Sequence, residues 1–250
     1  MAHEPRIVIF LLGCRAPSGD SYSVSAECEV DEDERPDGKT WVDHVPEYLD
    51  ISVQQIQNFS TPGASTEEDL DEQLARFSNL NQSGGRLALS SATYGSPLSA
   101  FNLLTHVLFF GINDCGQNTA DRLGPIVDKV IDAAQSLYTK FGARNFVFVD
   151  VPPTDRAPAA VRMECGDTVQ GRVNAWNDHL RAKVTEWTSE TQAKTTLFSS
   201  HEVITGILDE PEKYEFSKED VAKEGGEIWV DDLHKGGRIC TGVPGGITYA

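Results

Sequence analysis

A chain of 250 residues is long enough to bury the core of one α/β domain without disulfide support. Its formal net charge of -18 argues against nucleic acid and anionic membrane surfaces as partners, since no basic cluster offsets it locally. A neutral or cationic substrate, or one whose charge is remote from the reacting bond, fits such a surface better. Cys14, Cys28, Cys115, Cys165 and Cys240 are scattered, without a C-x-x-C pair. That pattern excludes an obvious zinc site and a full disulfide framework, and leaves one or two bridges open.

In chain order, residues 6–13 (RIVIFLLG) read as a buried first strand. The same stretch could serve as a short signal-peptide core, but it is brief and Glu4 stands where positive charge is expected. The compartment stays open. Residues 27–37 are acidic but lack the ligand order of a calcium loop, so a solvated loop is expected there. Further strands are predicted at residues 53–59, 106–110, 145–151 and 195–198, the first one covering 7–12. Helical spacing marks residues 66–80, with Ser65 or Thr66 as cap, 120–141, stopped by Gly142, and 169–188. Trp176 and Trp187 fall on the inward stripe of the last helix and read as core. Strands alternating with helices predict a parallel sheet covered on both faces. No run is long enough to form an integral membrane segment. No linker divides the chain, so residues 1–250 are expected to form a single domain.

Four short segments carry chemistry. Gly19-Asp20-Ser21-Tyr22-Ser23 offers a serine behind a glycine that permits a tight turn. In Asn58 to Ala64 a strand ends in Pro62-Gly63, whose Gly63 N–H can face a developing oxyanion. Phe109-Phe110-Gly111-Ile112-Asn113-Asp114 follows an apolar strand with an amide donor, Asn113. Asp231 and His234, three residues apart, let a carboxylate bond one imidazole nitrogen and turn the other toward a nucleophile. Each segment alone is a common loop; their order in one chain is the signal.

GDSYS, NFSTPGAST, GINDCG and VDDLH resemble the four sequence blocks of the SGNH hydrolase (GDSL-type esterase/lipase) superfamily. The segments GKTWVDHVPEYL and EEDLDEQLARF are similar to fungal members, which resemble carbohydrate acetylesterases. The likeness spans residues 19–234 and implies a three-layer α/β/α sandwich with a small parallel sheet, flavodoxin-like in outline. It implies Ser21 as nucleophile, His234 as general base and acid, and Asp231 as its orienting partner. The Ser21 and Gly63 N–H groups and the Asn113 side chain would form the oxyanion hole. No cofactor or metal is implied. The expected substrate is a small-molecule or carbohydrate ester, with a short acyl group such as acetyl. Lysophospholipases and thioesterases share the triad and are the alternative. Two departures from the family, residues 14–18 and the glycine-rich 235–250, add a catalytically impaired binding domain as a further alternative. The oligomeric state has no signature.

Overall fold

The computed structural model describes residues 6–11, 40–52, 55–61, 63–82 and 104–234. Within them five strands form one sheet: β1 (Arg6–Leu11), β2 (Ile56–Asn58), β3 (Leu104–Phe109), β4 (Asn145–Val149) and β5 (Lys194–Phe198). The order is β2-β1-β3-β4-β5 and every pairing is parallel. The residues expected as a first strand therefore lie inside the sheet, where Ile9 is in register with Asn58 and Val107.

Helices connect the strands: α1 (Trp41–Leu49), α2 (Leu70–Gln82), α3 (Ile112–Gln117), α4 (Ala120–Phe141), α5 (Pro158–Arg162) and α6 (Gly166–Glu190), with α7 (Ser200–Asp209) after β5. The right-handed rule for parallel crossovers assigns the connections that step from β1 toward β5 to one face and the connection from β1 to β2 to the other. The expected three-layer α/β/α sandwich is the observed fold class. Because both faces of the sheet are covered, β3 is buried almost without a break, which explains its continuous apolar text.

α4 keeps its expected bounds. Leu123, Ile126, Val127, Val130 and Leu137 are buried at helical spacing, and Gly142 ends the helix at φ 71°. Along α6, Val173, Trp176, Leu180, Val184 and Trp187 are buried, so both tryptophans belong to the core as expected. Trp187 also donates from Nε1 to Gln135 Oε1 of α4 at 2.7 Å, which joins the two long helices.

Three elements are shorter than the sequence suggests, among them the strand expected over 145–151, which ends at Val149. Of the strand expected over 53–59, Ile56–Asn58 forms, residues 53 and 54 lie outside the described residues, and a turn-type bond closes just before it at Gln55. There Gln55 N–H donates to Ser52 O at 2.9 Å, and Gln55 Oε1 accepts from Ser52 N–H at 2.8 Å. The helix expected from residue 66 begins at Leu70, after a run of turns. Ser65 Oγ accepts from Glu68 N–H at 3.3 Å, so Ser65 serves the cap and Thr66 is engaged elsewhere.

His106 lies in the core of the sheet, fully buried, stacked on Phe146 at 5.4 Å and edge-on to Phe77 at 6.1 Å. Burial pushes its imidazole down to about 4, with backbone bonding at Asn145 and Leu104 acting the other way. The folded state thus holds His106 neutral while the unfolded chain protonates it near 6.5. Its contribution is full above 6.5 and is lost as pH falls toward 4, amounting to about 3 kcal/mol. Urea unfolding of wild type and His106→Phe at pH 7.5 and pH 4.5 tests this. The stability difference between the two proteins should move in favour of the phenylalanine variant at the lower pH. A difference independent of pH would refute it.

Candidate active site

In an open parallel sheet the segments leaving the carboxyl ends of the strands converge on one edge, and ligands bind where the strand order reverses. Here that point is β1, with β2 on one side and β3 on the other. Ser21 belongs to the segment leaving β1 but lies outside the described residues, as do Cys14, Cys28, Cys240, the acidic loop and residues 235–250. Gly63 follows β2 and Asn113 follows β3, so the two expected oxyanion donors flank the strand that leads toward Ser21.

The loop after β2 closes a turn in which Ala64 N–H donates to Thr61 O at 3.3 Å. Gly63 occupies the third position of that turn at φ 72°, a left-handed conformation that glycine adopts without strain. After β3, Gly111 takes φ 113° and starts α3. A Cβ at Gly111 would stand 2.2 Å from the Trp176 ring, so this glycine is required by close packing as well as by its backbone.

The two loops are joined directly. Asn113, nearly buried, donates from Nδ2 to Ala64 O at 2.6 Å, the carbonyl next to Gly63. Beside it, the buried Asp114 carboxylate accepts from Thr66 N–H at 3.0 Å and from Thr66 Oγ1 at 2.9 Å. The structure therefore brings Gly63 and Asn113 together.

Asp231 and His234 meet within a single turn. Asp231 Oδ2 lies 2.6 Å from His234 Nδ1, and Asp231 Oδ1 accepts from Leu233 N–H at 2.7 Å and His234 N–H at 2.6 Å. Val230 N–H closes the turn on His234 O at 2.7 Å. Burial alone would raise the Asp231 carboxyl, but the bonds from the His234 ring and the two backbone amides outweigh it and hold it below the usual carboxylate range. The carboxylate is thus ionised across ordinary pH. With Nδ1 committed to Asp231, proton exchange with a reacting group falls to Nε2.

Three features that hold this turn are not evident in the sequence. Trp229, fully buried, donates from Nε1 to Val221 O at 2.9 Å and fixes the chain two residues before Asp231. Asp232 O accepts from Ala159 N–H at 2.8 Å, and Arg162 pairs with the Asp232 carboxylate at 2.7 Å. Both contacts come from α5, in the segment that leaves the carboxyl end of β4, so the Asp231–His234 turn is tied to the same edge of the sheet.

Other titratable groups near this edge are occupied structurally. Asp150, just after β4, accepts from Ser199 Oγ at 2.6 Å and from His201 N–H at 2.9 Å, and so anchors the start of α7. Cys115 and Cys165 are free thiols. Burial pushes the Cys115 thiol upward, which leaves it unreactive as a nucleophile at neutral pH. Among the described residues no group of three or more His, Cys, Asp or Glu side chains is arranged to hold a metal ion. No helix among them is long and apolar enough to cross a membrane.

A doubly wound parallel sheet between helices, with an acid–histidine turn tied to the segment leaving its fourth strand, is the architecture of an α/β/α sandwich enzyme. Residues 18–234 match the family described as GDSL-like Lipase/Acylhydrolase, and the chain belongs to that family. It is accordingly a carboxylic ester hydrolase. No curated protein matches the chain significantly.

Proposed function

We propose that the protein is a serine esterase that removes short acyl groups, acetyl above all, by a Ser21–His234–Asp231 triad. The observation that carries this reading is the 2.6 Å contact of His234 Nδ1 with Asp231, held by two further backbone bonds to the same carboxylate. In the first step Nε2 of His234 takes the Ser21 hydroxyl proton as Oγ attacks the ester carbonyl. The oxyanion is held by the N–H groups of Ser21 and Gly63 and by the Asn113 side chain. His234 returns the proton to the leaving alcohol as the C–O bond breaks, and an acyl-enzyme remains. Water then repeats the sequence, releasing the carboxylic acid and restoring Ser21.

The resemblance to fungal carbohydrate acetylesterases supports the acetyl preference and suggests an acetylated sugar as the substrate. α5, beside the Asp231–His234 turn, exposes Val161, and Met163 just past its end is exposed too, but at five residues the helix is too short to cover a long acyl chain. The net charge of -18 also disfavours anionic substrates such as lysophospholipids with acidic headgroups.

Hydrolysis of p-nitrophenyl esters from acetate to palmitate, by wild type beside Ser21→Ala, tests the reading. Acetate should be turned over at least tenfold faster than palmitate, and Ser21→Ala should be inactive on both. A preference for the long chains would remove the acetylesterase assignment and leave a lipase or lysophospholipase. Activity that survives in Ser21→Ala would remove the triad.

A further inference from the structure

We propose that Asp114 is a positioning residue that clamps the two loops of the oxyanion hole into one rigid unit. The inference rests on the proposed roles of Gly63 and Asn113 and extends them to a residue with no part in the proposed triad or oxyanion hole.

The argument begins with where the bonds run. The consecutive residues Asn113 and Asp114 at the start of α3 grip Ala64 and Thr66 on the loop after β2. Three hydrogen bonds cross between segments some 48 residues apart in the chain, and all three are buried. Asp114 is 0% exposed, so its carboxylate has exchanged water for the Thr66 hydroxyl and N–H and its own backbone N–H. A bond accepted by a charged group is stronger than a neutral one, and stronger again where water is excluded. Burial pushes the Asp114 carboxyl up to about 6, while the bonds from Thr66 oppose that rise. The group is therefore still ionised at neutral pH and can accept both bonds.

The register of the clamp explains what it does. Thr66 lies three residues after Gly63, and Asp114 follows Asn113 directly. Fixing Thr66 to Asp114 while Ala64 is fixed to Asn113 leaves Gly63 little freedom to move relative to the Asn113 amide. Donors of an oxyanion hole act by being held in place before charge develops, and a displacement of about 1 Å can cost about 100-fold in rate. A buried carboxylate is costly unless fully bonded. Its placement between the two donor loops is accounted for by this holding function.

The test compares Asp114→Asn, Thr66→Val and Thr66→Ser with wild type at pH 7.5, using p-nitrophenyl acetate and phenylboronic acid as the tetrahedral probe. Thr66→Val keeps the shape and the N–H bond but loses the hydroxyl bond, and it serves if Asp114→Asn fails to fold. Both are expected to lose 10- to 100-fold in kcat, with KM within about threefold and boronate affinity falling in step with kcat. Thr66→Ser should restore kcat to within about threefold. Unchanged kcat and boronate affinity in a folded Thr66→Val variant would overturn the inference, whatever its melting temperature. A rise in KM alone would do the same. Ser21→Ala and Asn113→Ala run in parallel separate the two failures. If those two lose activity and the clamp variants do not, only this inference falls. If neither loses activity, the triad reading falls and takes the clamp with it.

Discussion

His234→Ala is expected to lower kcat/KM for p-nitrophenyl acetate by roughly 10⁴- to 10⁶-fold while the protein stays folded. The size follows from the role. Without a base, the Ser21 hydroxyl keeps its proton and is a poor nucleophile, and the leaving alcohol has no acid. Folding should survive because the turn does not depend on the ring. Asp231 Oδ1 still accepts from the amides of residues 233 and 234, and Trp229 remains anchored on Val221.

Asp231→Asn makes the sharper comparison. An asparagine oxygen can keep the two backbone bonds, but its NH₂ would then face Nδ1 of His234 in place of Oδ2. The ring must offer Nδ1 as acceptor and carry its proton on Nε2, the wrong tautomer for a base. The expected loss is about 10⁴-fold in kcat with little change in KM. Thermal melts of both variants, run beside the kinetics, distinguish lost chemistry from lost structure. Residual activity within tenfold of wild type in a folded His234→Ala protein would exclude His234 as the base.

What the sequence revealed and what it hid differ by range. The repeat of Leu123, Ile126, Val127, Val130 and Leu137 lies within one helix, and Gly142 ends it locally, so α4 could be placed to the residue. Asp231 and His234 share one turn, and their contact could be expected once the four segments were read together. By contrast, Thr66 looked like a helix cap because a threonine before three acidic residues usually is one. Its hydroxyl instead goes to Asp114, a long-range partner that no local pattern announces. For Asp114 and Asp232 the sequence leaves open a turn role or a further hydrogen bond, and it names no partner for either. One holds the neighbouring loop, and the other takes Arg162 from 70 residues away. α7 was missed although Ser199 and Glu202 carry a capping signature, with Glu202 N–H bonded to Ser199 Oγ at 3.1 Å. Chemistry-bearing residues were visible, and the residues that hold them were not, because the first need a type and a spacing while the second need the fold.

That division bears on Asn113, which ties the two loops and is the proposed side-chain donor to the oxyanion. Asn113→Ala is expected to lower kcat by about 10²- to 10³-fold, the usual consequence of removing one oxyanion donor. It also takes the donor from Ala64 O, which is buried beside Gly63. A buried acceptor that loses its partner costs about 1–3 kcal/mol, so the variant should also melt at a lower temperature. Asn113→Asp removes both donations at nearly constant volume. A carboxylate facing the Ala64 carbonyl would repel it and could donate nothing to the oxyanion. Its kcat should therefore fall at least as far as that of the alanine variant. KM for acetate should stay within a few-fold in both, since the donor acts on the charge that forms after binding. If Asn113→Ala lost stability but kept kcat within threefold, Asn113 would be a structural tie alone, and the oxyanion would have to be held by backbone amides.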